Sequence, residues 1–378
     1  MELKEFLHMN GGDGELSYAQ NSFLQRGVSL MSEPMLESAV RSIISEDLGS
    51  RKVLKVADLG CGVGPVPLAL VSLVEEYVKR ECEQLSWDVD DDDDDQMPEI
   101  EIYMNDLPSN DFNLLFRDLL RMMEEEKRED VEGKSKKVPL CFLMGVPGSY
   151  YGRLFPKESL HLVHANCTLH WLSQAPVGLY SPEGRAINKG NIYISETSPR
   201  EVGKAYLGQF EGDMTQFLQC RSQEVVSNGL MLLTFRGRPS SSNLATWQPW
   251  ELKLLSQAVT SLVSKGMVEE EKVDSFDFPY FGATKEEIQS IVRAEGSFGV
   301  EKMQTVTHSV ANEIECNMER AEKLGKFIRA FTQPLLSRYF GVQVLGSLYH
   351  ELTLLTLHHL ETHQPVDHFI IIALLRRI

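Results

Sequence analysis

The sequence predicts an α/β protein whose mostly parallel sheet carries an α-helical cap. Three observations predict it. A β-branched run, Val53-Leu54-Lys55-Val56-Ala57, ends at Asp58, passes through Gly60, Gly62 and Gly64, and continues as a helix-length apolar run from Pro65, which is the strand, glycine turn and helix that open such a sheet. Strands then alternate with helices as far as Phe235, the pattern of a parallel sheet with crossover helices. Helical periodicity between Trp171 and Glu361 exceeds what that sheet can hold, and the excess forms the cap.

The elements follow in chain order. Asn10 to Ser22 is glycine-rich and polar and reads as a loop. Ser32 and Pro34 mark the start of a helix whose stripe is Leu36, Val40, Ile43 and Ile44. The helix after Pro65 runs to about Glu83. The aspartate run Asp90 to Asp95 repels itself and reads as a solvated insertion, since it lacks the glycine and spaced ligands of a calcium loop. Glu99 to Asp106 alternates at period two, as a strand does. A helix follows through Phe112, Leu115, Leu119 and Met122, and Glu124 to Lys137 reads as a surface loop. Leu140 to Met144 and Leu160 to His164 are the third and fourth strands, and Gly190 to Ile194 a short additional one. A helix from about Pro199 to Val226 precedes a fifth parallel strand, Leu230 to Phe235. Helical segments span Trp250 to Gly266, Lys285 to Ala294, Ala321 to Ser337 and Ser347 to Glu361, before a buried strand from His368 to Leu375.

Composition excludes several functions. A net charge of −18 argues against nucleic acid and anionic membrane as partners, both of which require a basic face. Six cysteines without a C-x-x-C pair read as reduced thiols of a cytoplasmic protein, not a zinc site. The start has neither the charge nor the apolar run of a signal peptide, and no apolar stretch approaches the ~20 residues that span a bilayer.

In an open α/β sheet the ligand lies beyond the carboxyl ends of the strands, near the reversal of strand order. The strand ends supply Asp58 with Gly60 to Gly64, then Asn105-Asp106-Leu107, then Gly148-Ser149-Tyr150, then Cys167-Thr168-Leu169-His170-Trp171. An acid after the second strand can accept both ribose hydroxyls, and an aromatic face after the third suits adenine. A nicotinamide fingerprint would need a glycine where Pro65 stands. D-x-G-x-G-x-G is instead the turn typical of S-adenosylmethionine (SAM) methyltransferases.

Nearly end to end, the sequence resembles the plant SABATH methyltransferases. The matching blocks are Met9 to Gly12 with Ser17 to Ser22 and Gln25; Ala57 to Cys61; Asn105 to Pro108; Gly145 to Ser149 with Gly152 to Pro156; His170-Trp171-Leu172; Arg221 to Val226; and Arg329-Ala330-Phe331 with Pro334. The resemblance implies a class I, Rossmann-like fold, SAM as methyl donor with S-adenosylhomocysteine as product, a small-molecule acceptor and a homodimer. It implies an N-terminal lid and helix (1–50), a SAM-binding unit (51–170 and 190–240), a helical cap (171–189 and 241–365) and a last strand of the sheet (366–378). SAM contacts fall on Tyr18, Ser22, Asp58, Gly60, Cys61, Asp106, Leu107, Ser149 and Tyr150. Acceptor contacts fall on Gln25, Cys167, His170, Trp171, Arg236, Trp250, Ile328 and Phe331, with His170 and Trp171 at the reacting centre.

The departures from the family pattern matter. Val66 replaces an Asn after the glycine turn, removing one polar SAM contact, and Cys167 replaces a Tyr, opening room beside the reacting centre. Salicylate-type enzymes carry Leu and Met where this chain has Arg236 and His170, whereas the caffeine-synthase branch carries Arg and His. Arg236 offers fixed donors to a ring carbonyl, and His170 can bond a ring nitrogen or take its proton. The favoured acceptor is therefore a methylxanthine, theobromine or 7-methylxanthine, methylated at nitrogen. The alternatives are a carboxyl methyltransferase of a small acid such as salicylate, benzoate or jasmonate, and a SAM-binding protein without catalysis. The late histidines His358, His359, His363 and His368 read as helix-face or surface residues, and no metal site is assigned. Some family members bind magnesium near positions matching Asn188 and Asp274 to Asp277, which is left open because Asp277 replaces the usual Asn.

Overall fold

A computed structural model describes residues 7–48, 53–85, 97–131 and 139–378. The aspartate run Asp90 to Asp95 lies outside the described residues. Seven strands, β1 (Val53–Leu59), β2 (Glu99–Asp106), β3 (Cys141–Pro147), β4 (Leu160–Asn166), β5 (Val225–Gly237), β6 (Phe298–Ser309) and β7 (Asp367–Arg377), form one sheet in the order β3-β2-β1-β4-β5-β7-β6. The first five pair in parallel. The chain builds outward from β1 to β3, then returns to lay β4 on the other side of β1, so the strand order reverses between β1 and β4. A crevice beyond their carboxyl ends is the ligand-binding position of such a sheet.

β7 runs antiparallel between β5 and β6. Its centre, Ile370 to Leu375, is buried on both faces, which explains the unbroken apolar run. β6 lies within the span assigned to the helical cap, and that assignment is corrected here. It is an edge strand with one neighbour, and its exposed positions carry Glu301, Lys302 and Thr305. Polar edge strands resist edge-to-edge pairing but lack a clear apolar signature.

The helices are α1 (Tyr18–Asn21), α2 (Phe23–Ser42), α3 (Pro65–Gln84), α4 (Phe112–Val131), α5 (Arg200–Glu224), α6 (Trp250–Ser264), α7 (Glu270–Asp274), α8 (Lys285–Glu295), α9 (Asn317–Phe340) and α10 (Leu345–Glu361). α2 begins well before the Ser32 start expected, with Pro34 inside it. Leu24, Val28, Met35, Leu36 and Ala39 form one buried face against α3 and the sheet, and this packing overrides the proline signal. α4 continues to Val131 through charged residues expected as loop. Gly190 to Ile194 is not a strand; Ile192, Tyr193 and Ile194 are buried in a loop whose Ile192 carbonyl accepts from Phe278 N at 2.7 Å.

Within the cap, α10 packs between α6 and α9. α8 packs instead against α5 and β6. Its ends are set by a capping box, Thr284 with Glu287, and by Gly296 in the left-handed region.

Candidate active site

The glycine turn leaves β1 with Gly60, Gly62 and Gly64 at φ of 70°, 62° and 95°. Side chains would be strained there, and space forbids them too. A Cβ on Gly60 would stand 2.4 Å from the Thr168 side chain, and one on Gly64 2.7 Å from the Ala19 backbone. The turn is thus pressed between the end of β4 and the N-terminal segment. Gly60 N and Cys61 N both donate to Asn105 O at 2.9 Å, and Asn105 Nδ2 donates onward to Val146 O and Gly148 O. One asparagine therefore ties together the ends of β1, β2 and β3.

Asp106 closes the turn. Its carboxylate accepts from Gly62 N at 2.8 Å and Leu107 N at 2.7 Å. Burial pushes its pKa up to about 6, against the lowering by these two bonds. Tyr150 donates to Thr168 O at 3.1 Å, and Tyr151 to Trp171 O at 2.6 Å, so the loop after β3 is stitched to the loop after β4. Together Tyr18, Gly60, Gly62, Asp106, Leu107, Tyr150, Cys167 and Trp171 line one cavity of about 70 Å³, with Met9 and Thr168 also in its wall. Ser149 lines an adjoining recess with Tyr150 and Trp171.

Other candidates lie behind that surface. Asp58 is buried and bonded to His164 Nδ1 at 2.7 Å, with its second oxygen unpartnered. Ser22, Cys61, Gln25, Ile328 and Phe331 are buried and are not part of the cavity wall. Ser22 Oγ and Gln25 Oε1 have no partner, and buried polar atoms left open in this way favour a polar ligand. Phe331 packs on Trp171 with ring centres 6.2 Å apart.

Arg236 and Trp250 line a second cavity, of about 260 Å³, with Tyr280 and His368. Arg236 N donates to His170 Nδ1 at 3.4 Å. The His170 ring lies 5.1 Å from Tyr280, which lines the second cavity, and 5.9 Å from Trp171, which lines the first. The bond to Nδ1 leaves the hydrogen on Nε2. Burial, and secondarily the charge of Arg236, hold the His170 pKa well below the usual histidine range, so the ring is neutral. The Arg236 guanidinium forms a buried ion pair with Glu251 and bonds His368 Nδ1 at 3.0 Å. His368 is therefore an interior residue, not the surface histidine expected.

Arg221 and Glu224 hold the Tyr150 loop from behind. Arg221 donates to Tyr150 O at 2.7 Å and Gly152 O at 2.8 Å, while Glu224 accepts from Leu154 N at 2.6 Å and Phe155 N at 3.1 Å. Asn188 and Asp274 have protein partners, Ser198 Oγ at 2.6 Å and Gly190 N at 2.7 Å. Among the described residues no cluster of three His, Cys, Asp or Glu side chains comes together.

Residues 4–378 match the family described as SAM dependent carboxyl methyltransferase. The chain belongs to this family, the SABATH methyltransferases. The methyltransferase is 42% identical over 376 residues to 3,7-dimethylxanthine N-methyltransferase CkTbS of Camellia sinensis var. assamica, covering 99% of this chain and 97% of the relative. It is 42% identical to 7-methylxanthine methyltransferase PCS1 of Camellia ptilophylla, covering 99% and 98%, and 43% identical to caffeine synthase 3 of Camellia sinensis, covering 99% and 97%. Its fold matches that of loganic acid methyltransferase with S-adenosylhomocysteine at a TM-score of 0.82 and 30% identity, covering 98% of each chain. The constrained glycine turn and the Asp106 carboxylate in the cavity wall fit the methyl donor of this SAM-dependent family.

The sequence reading missed the residues that brace the site. Asn105 and Arg221 fell inside recognised blocks, but only their backbone and buried contacts reveal the function. Glu251, Tyr280 and His368 carried no local signal, because residues far apart in sequence meet at Arg236.

Proposed function

We propose that this methyltransferase acts on the nitrogen of a methylxanthine, theobromine or 7-methylxanthine, with caffeine among its products. The observation that carries the reading is the contact of Arg236 with His170 beside the rings of Trp171 and Tyr280. A flat heterocycle bearing carbonyls needs fixed donors at its edge and rings against its faces. The named relatives that act on 7-methylxanthine and 3,7-dimethylxanthine support the same class.

SAM, when bound, supplies the sulfonium methyl for in-line displacement and leaves as S-adenosylhomocysteine. Asp106 would hold the ribose hydroxyls and Tyr150 the adenine. His170 orients the acceptor and Trp171 fixes the plane of its ring; as the N–CH3 bond forms the ring nitrogen gives up its proton, relayed through His170 to water, and holding the reactants in line could lower the barrier by several kcal/mol. Displacement at a sulfonium needs no Lewis acid, so magnesium is assigned no step. A cytoplasmic homodimer belongs to the same proposal, supported by the family resemblance and by six free cysteines.

Turnover with labelled SAM across methylxanthines, salicylate and benzoate tests the reading. Methylxanthines should be the better substrates, and Arg236→Leu should reduce their kcat/KM by roughly tenfold to a hundredfold. Efficient methylation of salicylate with no turnover of any methylxanthine would replace it with the carboxyl methyltransferase.

A further inference from the structure

The geometry points to Glu251 as the residue that sets the charge class of the acceptor: by pairing with Arg236 it makes the site accept uncharged heterocycles and turn away carboxylates. This inference rests on the reading of Arg236 as an acceptor-facing residue.

An arginine alone in a buried cavity would be an anion site, because its guanidinium matches a carboxylate with two parallel bonds. Arg236 is not alone. Glu251, the second residue of α6, reaches it from the cap, and the two side chains are 7% and 1% exposed. Their charges cancel in surroundings from which water is excluded. His368 adds no charge, since burial first and Arg236 second hold its pKa well below the usual range. The neighbouring Arg238 is paired with Glu287, and Asp367, at the cavity wall, is exposed and bonded to Ser309. The buried centre is therefore neutral.

Trp250, His368 and Arg236 line the 260 Å³ space, and Trp250 Nε1, His368 Nε2 and Arg236 Nε are, like both Glu251 carboxylate oxygens, buried without hydrogen bonds. A carboxylate entering there must share Arg236 with the Glu251 carboxylate, and like charges brought together in such a site repel. A neutral ring carbonyl meets no such penalty. Glu251 thus acts through Arg236, as a positioning and charge-setting residue.

The test is Glu251→Gln, which keeps shape and one acceptor oxygen but removes the charge. Acceptor kinetics with theobromine and with benzoate should show the benzoate-to-theobromine ratio of kcat/KM rising about tenfold or more, chiefly through a lower KM for benzoate. SAM affinity by calorimetry should stay within about twofold, because Glu251 is not part of the cavity wall assigned to SAM. A merely structural role would alter both acceptors together, so a well-folded variant with unchanged ratio overturns the proposal. Should Glu251→Gln not fold, the double variant Arg236→Leu with Glu251→Leu replaces the buried pair by apolar groups, which proteins tolerate. It should fold, and with the repelling carboxylate gone its benzoate kcat/KM should rise; unchanged benzoate turnover there would equally overturn the proposal. The wild type separates the two readings. If it methylates carboxylates alone, the methylxanthine function falls and this inference with it; if it methylates methylxanthines and the variant ratio does not move, only the role of Glu251 falls.

Discussion

Arg221 and Glu224, three residues apart on α5, form a fully buried ion pair at 2.6 Å whose remaining hydrogen bonds all reach the loop after β3. That loop presents Tyr150 to the cavity. Removing one partner of a buried pair typically costs ~3–5 kcal/mol. Arg221→Met should therefore lower the melting temperature sharply, and whatever folds should bind SAM weakly because the loop has lost its anchor. Calorimetric melting with unaltered SAM affinity would show that the loop holds its shape without the pair.

Asp106 should dominate SAM affinity. Asp106→Ala removes a charge-assisted contact worth ~1.5–3 kcal/mol, a weakening of more than tenfold. Burial raises its pKa from 3.8 to about 6, so without ligand its contribution to stability is fullest below the unfolded value and is lost as pH rises through about 6. Ribose hydroxyls need the carboxylate form. SAM affinity should therefore decline as pH falls through about 6, and Asp106→Asn should abolish that dependence. Titration calorimetry from pH 5 to 8 decides the point.

Asp277 is the same physics without the ligand. Burial pushes its carboxyl from 3.8 up to about 7, so its cost to the folded state builds as pH rises from about 4 to about 7 and is level above that. Asp277→Asn should stabilise the protein at pH 8 by about 1–2 kcal/mol, discounted for partial exposure, and do little below about pH 4. Melting curves at the two pH values should diverge; parallel shifts would remove Asp277 as the cause.

Cys167 sits at a φ of 55° in the wall of the first cavity. Its small side chain leaves room for an acceptor that already carries methyl groups. Cys167→Tyr should reduce turnover of theobromine about tenfold more than that of xanthine, since overpacking costs ~1–3 kcal/mol where space is taken. Equal loss on both acceptors would place the spare volume elsewhere.

What could be read in the sequence was what is encoded locally. The strand, glycine turn and helix from Val53 to Val74, the ribose-side acid Asp106 and the helices α5, α6 and α10 all announce themselves by period or turn chemistry. β6 did not, because a polar edge strand has no apolar face to show. The start of α2 was misplaced because Pro34 is a strong local signal defeated by packing. At the site, Gly60, Asp106, Tyr150, Cys167 and Trp171, all just beyond strand ends, line one cavity, which Tyr18 of the N-terminal block joins. The network of Arg236, Glu251 and His368 was illegible, since β5, α6 and β7 bring together residues up to 132 apart.

Ala19 lies against Gly64 so closely that a single methyl group would not fit between them, and the space that Tyr18 helps enclose is about 70 Å³, well below the ~300–1,000 Å³ of ordinary ligand pockets. Leu7, His8, Met9 and Tyr18 stand in the wall of that space, so the donor and its spent form would pass this segment on the way in and out. A cross-link from residue 19 to the turn should then slow repeated turnover without touching the methyl-transfer step, and unchanged turnover would show another route.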